Sequence, residues 1–210
     1  MTYNAFGFGH IPKKMMPDAT VGGCIDIFEN AWTDCDSIIK DVESRCQDPN
    51  SGINWSKATT VGKGMFQDAR TNYDMSITTS ASLGDQFMVG LHNKCNDTLL
   101  SAGTSYHSRY GINESFWQEG YNLLKYNTGQ EYKVHYDSGT GMGRHLSCIL
   151  YLNDNYTGGE IEFPLFKVKI KPKAGMLILF PSNFAYKHIA HPVTSGTKYA
   201  MVTWLHDRQQ

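Results

Sequence analysis

The chain lacks several features that would place it quickly. Its five cysteines (Cys24, Cys35, Cys46, Cys95 and Cys148) are odd in number, widely spaced and form no C-x-x-C pair. That spacing argues against a disulfide-stapled scaffold and a cysteine-based zinc site, and predicts reduced thiols in a cytoplasmic protein. Long apolar runs are also missing. "MLILF", the longest strongly apolar stretch of the C-terminal half, is far short of the about 20 residues a membrane helix needs. The N-terminal "MTYNAFGFGHIPKKMMPDAT" has no apolar signal-peptide core, so no membrane association or secretion is expected. No charge of one sign dominates. A formal net charge of −1 gives no reason to expect nucleic acid as a partner. Repeats and low-complexity segments are absent.

What remains is an ordinary globular composition, 40% hydrophobic and 19% charged over 210 residues, enough to bury a sizeable core. The 20 glycines and 12 tyrosines lean toward a turn-rich β fold. One domain is expected over 1–210, with a strand and helical buttress to about residue 112 and a β core from about residue 113.

Two helices are predicted in the first half. "TDCDSIIKDVESRC" opens with Thr33 as N-cap and Asp36 three residues on, a capping-box-like start. Cys35, Ile38, Ile39, Val42 and Cys46 then share one face, and Pro49 and Gly52 stop the helix. The second helix, about Leu83 to Leu100, aligns Leu83, Phe87, Leu91, Cys95 and Leu99 as a packing stripe, with His92 beside it as a solvated residue. Before the helices, "CIDIFE" reads as a strand. The segment between them, about 50–65, is polar and glycine-bearing, and reads either as a surface connection or as a mobile lid.

From about Phe116 the rhythm becomes short strands and turns, the pattern of a β-sandwich, barrel or jelly roll. In "EYKVHYD", alternation puts Glu131, Lys133, His135 and Asp137 on one face, and Tyr132, Val134 and Tyr136 on the other. A polar strand face toward water explains this as simply as a site does. Yet an imidazole and a carboxylate two residues apart project side by side from a rigid support. A third histidine from a distant strand would complete a 2-His-1-carboxylate triad of the non-haem Fe(II) type.

The candidates are His188 and His191 in "YKHIAHPVTSGTKY", which alternation sends to opposite faces. His188 has small neighbours in Ala190 and Pro192, whereas His191 shares its face with Ile189 and Val193. Lys198 lies ten residues after His188, across the "TSGT" turn, inside the otherwise apolar "KYAMVTWL". It is either a strand-end lysine reaching water or a fixed cation for a ligand carboxylate, since burying it alone is costly.

Five stretches in order, "YNTGQEYKVHYD", "RHLSCILYLND", "GGEIEFP", "VKIKPKAGMLILFPS" and "HIAHPVTSGTKYAMVTW", resemble the prolyl 4-hydroxylase-like branch of the Fe(II)/2-oxoglutarate-dependent dioxygenases. They cover about residues 120 to 205, and the earlier "CIDIFENAWTDCDSIIKDVE" and "ARTNYDMSI" resemble the family's N-terminal buttress. The family pattern, H-x-D followed by H-x-x-x-P-V-x-x-G-x-K, falls on His135, Asp137, His188 and Lys198. His191 falls on a variable position.

The resemblance implies a double-stranded β-helix (jelly-roll) core, Fe(II) held by His135, Asp137 and His188, and 2-oxoglutarate as cosubstrate. It implies that the far carboxylate of 2-oxoglutarate meets Lys198 and the Tyr151 hydroxyl, with Tyr126 lining the same pocket. O2 is the oxidant and ascorbate an accessory reductant. Arg144, Tyr132 and Trp204 match positions near the family's peptide substrate. Arg144 and Tyr151 are seven apart, of opposite parity on a straight strand, so one must sit at a bend or strand end. Ile161 stands where many relatives have threonine. The implied activity is hydroxylation of a protein side chain, a prolyl residue foremost, with release of succinate and CO2. The rival readings are the same chemistry on a free amino acid or another side chain, and a cupin- or lectin-like jelly roll that binds without turnover. Nucleic-acid demethylation is disfavoured, because no arginine is paired with Lys198.

Overall fold

A computed structural model of the protein describes residues 14–59, 69–113, 115–139 and 143–207. Residues 60–65 of the segment read as a possible lid lie outside these.

In chain order, a hairpin of β1 (Ala19–Val21) and β2 (Ile25–Phe28) leads to α1 (Cys35–Gln47). Then come β3 (Ser56–Lys57), β4 (Tyr73–Ser76), α2 (Ile77–Ser82) and α3 (Gln86–Tyr110). The β-rich half holds β5 (Phe116–Gln118), β6 (Asn122–Tyr126), β7 (Tyr132–His135), β8 (Arg144–Tyr151), β9 (Thr157–Gly158) and β10 (Ile161–Phe163). It continues through β11 (Val168–Ile170), β12 (Leu177–Pro181), β13 (His188–Ala190), β14 (Val193–Ser195) and β15 (Lys198–Asp207).

The strands form a large antiparallel sheet in the order β1-β2-β12-β8-β15-β6-β4-β3, with β5 also on β15. A smaller sheet, β11-β10-β13-β7, faces it, and β14 pairs with β9. Alternation sorts the core. On β8, Leu146, Cys148 and Leu150 point to the helices, packed with Val42, Leu91, Cys95, Leu99 and Tyr106. Tyr151 joins Ile161, Phe163, Ile178 and Phe180 between the two sheets. Central β12 is apolar on both faces because helices cover one and the smaller sheet the other. Each fully buried Leu, Ile or Phe contributes about 1.5–3 kcal/mol. This is the jelly-roll core with helices buttressing one face.

The helices differ from the sequence reading in detail. The first is capped at Asp34, not Thr33, and no side chain closes its first turn. Leu83 does not join the stripe. It is exposed, because Gly84 in a left-handed conformation separates α2 from α3 and turns Leu83 outward. Asp85 caps α3 by accepting from the Met88 amide, and α3 runs ten residues past Leu100 to a left-handed Gly111. Those extra turns stay helical through tertiary burial of small residues such as Ala102, Gly103 and Ser105. His92 is not simply solvated: its ring packs edge-on against Tyr121 at 5.3 Å, and burial lowers its pKa.

Candidate active site

Two strands and a turn bring three donors together. β7 ends at His135, the chain then turns through Asp137, and β13 begins at His188, directly opposite His135 in the antiparallel register. His135 Nε2 lies 3.6 Å from Asp137 Oδ1, and His188 Nε2 lies 3.9 Å from Asp137 Oδ2. His135 Nδ1 faces the Lys133 carbonyl at 2.7 Å and His188 Nδ1 faces that of Tyr186 at 3.2 Å. A carbonyl only accepts, so each Nδ1 carries the proton and each Nε2 offers a lone pair inward. The ligand atoms all lie within 4.8 Å of one another.

The surroundings keep the His135 imidazole neutral and the Asp137 carboxylate charged. Burial, then the neighbouring His188, pushes the His135 pKa down to about 3. Burial alone would raise Asp137, but the two histidines and hydrogen bonds from Ser147 and Trp204 hold it below the usual carboxylate range. Neutral imidazoles and an ionised carboxylate are the protonation states a metal requires. Phe163 and Phe180 wall His188 off from water. The donor set and its spacing fit a first-row divalent metal with open positions.

His191 is elsewhere. Its Nε2 is 2.7 Å from Glu162 Oε2 in a half-exposed pair.

Ser147 and Ser182 support the donors and carry no signal in the sequence. The buried Ser147 hydroxyl donates to Asp137 Oδ2 at 2.6 Å and lies 2.8 Å from Ser182 Oγ. The Ser182 carbonyl accepts from the amides of Asp137 and Ser138, tying the turn after β7 to the end of β12. Both serines sit in quoted stretches, "HLSCIL" and "LILFPS", but nothing in a one-dimensional pattern says that they meet. Ser147→Ala is expected to weaken Mn(II) binding by about 10–100-fold, as loss of a ligand's supporting hydrogen bond does. Titration of the variant beside wild type checks this, with an unchanged melting temperature of the metal-free protein as control.

A cavity of about 460 Å³ opens over these donors, and Tyr126, Tyr151, Ile161, Lys198 and Ala200 also line it. Lys198 is 2% exposed, and its ammonium donates to the Gly159 carbonyl at 2.8 Å. Its Nζ lies 4.9 Å from the Tyr126 ring and 5.4 Å from that of Tyr151, with no carboxylate paired to it among the described residues. Burial, then the nearby Lys171, pushes its pKa down to about 7. The "GGE" stretch makes this possible. Gly159 sits at φ +66°, and a Cβ there would press within 2.8 Å of the Tyr156 ring and 3.2 Å of the Lys198 stem.

The remaining candidates frame the mouth of the cavity. Tyr132 stacks on His135 with ring centroids 3.5 Å apart and planes 12° apart. Strict alternation had sent these two to opposite faces. The register shifts between the pairs His188–His135 and Ala190–Tyr132, and that irregularity turns Tyr132 inward beside His135. Arg70 lies over the outer side of the Tyr132 ring at 5.3 Å. The parity conflict between Arg144 and Tyr151 is resolved in the same way. On β15, Leu205 faces Leu146 while the next residue, His206, faces Arg144, so β8 skips one residue. Arg144 then stacks over Trp204 at 3.7 Å and forks onto Glu119, with Nε 2.6 Å from Oε2.

Residues 121–206 match the family model of the 2OG-Fe(II) oxygenase superfamily. The chain is 33% identical over 121 residues to a probable prolyl 4-hydroxylase of Arabidopsis thaliana, spanning 44% of this chain and 42% of the relative. The chain spans less than half the length of the curated relatives it matches. Among solved structures, a Trichoplax adhaerens prolyl hydroxylase in complex with a hypoxia inducible factor oxygen degradation domain peptide superimposes with TM-score 0.72. Identity there is 22%, with 89% of this chain and 84% of that one covered. A viral collagen prolyl hydroxylase from Paramecium bursaria Chlorella virus-1, in its 2OG complex, gives 0.62 at 21% identity, covering 89% and 97%. These likenesses establish the double-stranded β-helix fold.

Proposed function

We propose that the protein is an Fe(II)- and 2-oxoglutarate-dependent dioxygenase that hydroxylates a prolyl residue of a protein or peptide. The observation that carries this reading is one cavity with two chemistries: His135, Asp137 and His188 at one wall, and at another a buried ammonium with no carboxylate paired to it among the described residues. An aliphatic dicarboxylate satisfies both. In this reading the Lys198 ammonium and Tyr151 hydroxyl hold its far carboxylate by charge-assisted hydrogen bonds, and Tyr126 closes the side of the slot. Ser147 fixes the Asp137 carboxylate, while Phe163 and Phe180 exclude water. Fe(II) held by the three donors supplies the activation of O2, so that 2-oxoglutarate, O2 and a substrate C–H yield succinate, CO2 and C–OH. Tyr132, Arg144 and Trp204 frame the entrance for the peptide. The prolyl hydroxylases among the relatives support a prolyl target. The five free thiols support a cytoplasmic setting as part of the same proposal.

The test is succinate release from 2-oxoglutarate with and without Fe(II), together with mass spectrometry of proline-containing peptides. Iron-dependent succinate and a gain of one oxygen atom on a prolyl residue are expected. No succinate with iron present would sink the enzyme reading. An oxygen gained on another side chain would sink only the prolyl assignment.

A further inference from the structure

Beyond the cavity mouth, one exposed aromatic surface has no role so far. Trp117 on β5 is 47% exposed, yet its indole is not loose. It stacks on the His206 imidazole with ring centroids 4.3 Å apart and planes 23° apart. His206 Nε2 is held 2.7 Å from Glu119 Oε2, and Glu119 is the carboxylate that Arg144 grips. The Glu119 amide donates to the Trp204 carbonyl at 3.1 Å, which fixes the start of this network to β15. Arg144 and Trp204 line the cavity. A single contact chain therefore runs from the cavity mouth to the outer face of the Trp117 indole.

Its length is set by the sheet. His206 is the register partner of both Trp117 on β5 and Arg144 on β8. Trp117 and Arg144 are thus two strand spacings apart, about 9.6 Å. A polyproline II segment rises about 3.1 Å per residue with three residues per turn, so about 9.3 Å separates residues i and i+3. The two lengths agree. Arg144 Nη1 donates to the Asp137 carbonyl at 3.2 Å, so a residue held over the donors lies beside Arg144. The geometry points to Trp117, backed by His206, as an outer subsite that takes a second proline ring of the same peptide, three residues from the target prolyl residue beside Arg144. This inference rests on the peptide reading above and deepens it. A proline ring is flat, apolar and already ordered, so it covers the indole face at little conformational cost. The occupant follows from continuity with the cavity mouth and from the rigid spacing, which suits an extended chain and not a helix.

The experiment uses the protein loaded with Mn(II) and 2-oxoglutarate, and measures dissociation constants for peptides by calorimetry. One peptide carries a single central proline, two others add a proline three residues before or after it, and a fourth carries leucine at the favoured added position. The added proline on one side is expected to tighten binding by about tenfold, the effect of covering roughly 55 Å² of apolar surface. Trp117→Ala should erase that gain while leaving the single-proline peptide unchanged, and Trp117→Phe should restore part of it. Equal binding of all peptides by wild type overturns the subsite and leaves the peptide reading standing. So does equal weakening of every peptide by Trp117→Ala. Leucine matching the added proline overturns the assignment of a proline ring. Failure of wild type to bind any of the peptides sinks the peptide reading, and the subsite with it.

Discussion

Asp137→Ala and His188→Ala are each expected to abolish hydroxylation and to lower Mn(II) affinity by well over about 100-fold. The bound is set by comparison: partners that merely support a ligand are worth about 10–100-fold, so a ligand itself is worth more. His191→Ala should leave metal binding and turnover intact, because its imidazole is engaged with Glu162 at 2.7 Å, outside the cluster. Calorimetric titration with Mn(II), an oxygen-stable stand-in for Fe(II), measures all three variants under one condition. Loss of metal in His191→Ala with retention in His188→Ala would contradict the geometry of β13. The metal-free variants should stay folded. His188→Ala opens a space against Phe163 and Phe180, a cost of packing.

Alternation separated His188 from His191, and the structure places them apart, His188 opposite His135 and His191 against Glu162. The alignment of Leu91, Cys95 and Leu99 was legible on α3, where helical periodicity and burial coincide. Alternation failed where the ladder breaks. Tyr132 beside His135 and Arg144 above Trp204 both depend on register shifts, and one extra or missing residue in a ladder carries no compositional mark. Ser147 and Ser182 were illegible for another reason: their roles arise from a contact between strands 35 residues apart in sequence. Glu119 gives a third kind of miss. Its charge looks like ordinary surface in "FWQEGY", and only the folded sheet sets it between Arg144 and His206. Its carboxyl is held below the usual range because, against the effect of burial, both partners donate to it. Period and alternation thus show which residues of one segment share a face, and they are silent on contacts between segments distant in sequence.

Lys198→Ala is expected to raise the 2-oxoglutarate requirement by a few hundred-fold or more while leaving Mn(II) affinity nearly unchanged. Removing one partner of a desolvated ion pair costs about 3–5 kcal/mol, which sets that scale. Lys198→Arg should recover part of the loss, limited by its wider fork. Tyr151→Phe should cost less, about 0.5–3 kcal/mol for one hydroxyl hydrogen bond to a charged group. A pH dependence follows as well. Without cosubstrate, burial and Lys171 place the Lys198 pKa near 7, against an ordinary value of 10.5. The carboxylates of the cosubstrate stay ionised throughout this range, so only the ammonium titrates. Affinity should therefore be constant below pH 7 and fall by about tenfold per unit above it, since each bound dicarboxylate must then take up a proton at Lys198. Folding runs the opposite way. With the folded pKa below the unfolded one, the penalty for burying this charge is complete below pH 7 and lifts as pH rises from 7 toward 10.5. Lys198→Met, which removes the charge and keeps the stem, should accordingly melt higher than wild type at pH 6, with the difference shrinking by pH 9. Succinate release against 2-oxoglutarate concentration at several pH values, beside melting curves of the metal-free proteins, reads both signs. An affinity that is flat from pH 6 to 9, or a Lys198→Ala variant with the wild-type concentration dependence, would show that the ammonium does not hold the cosubstrate.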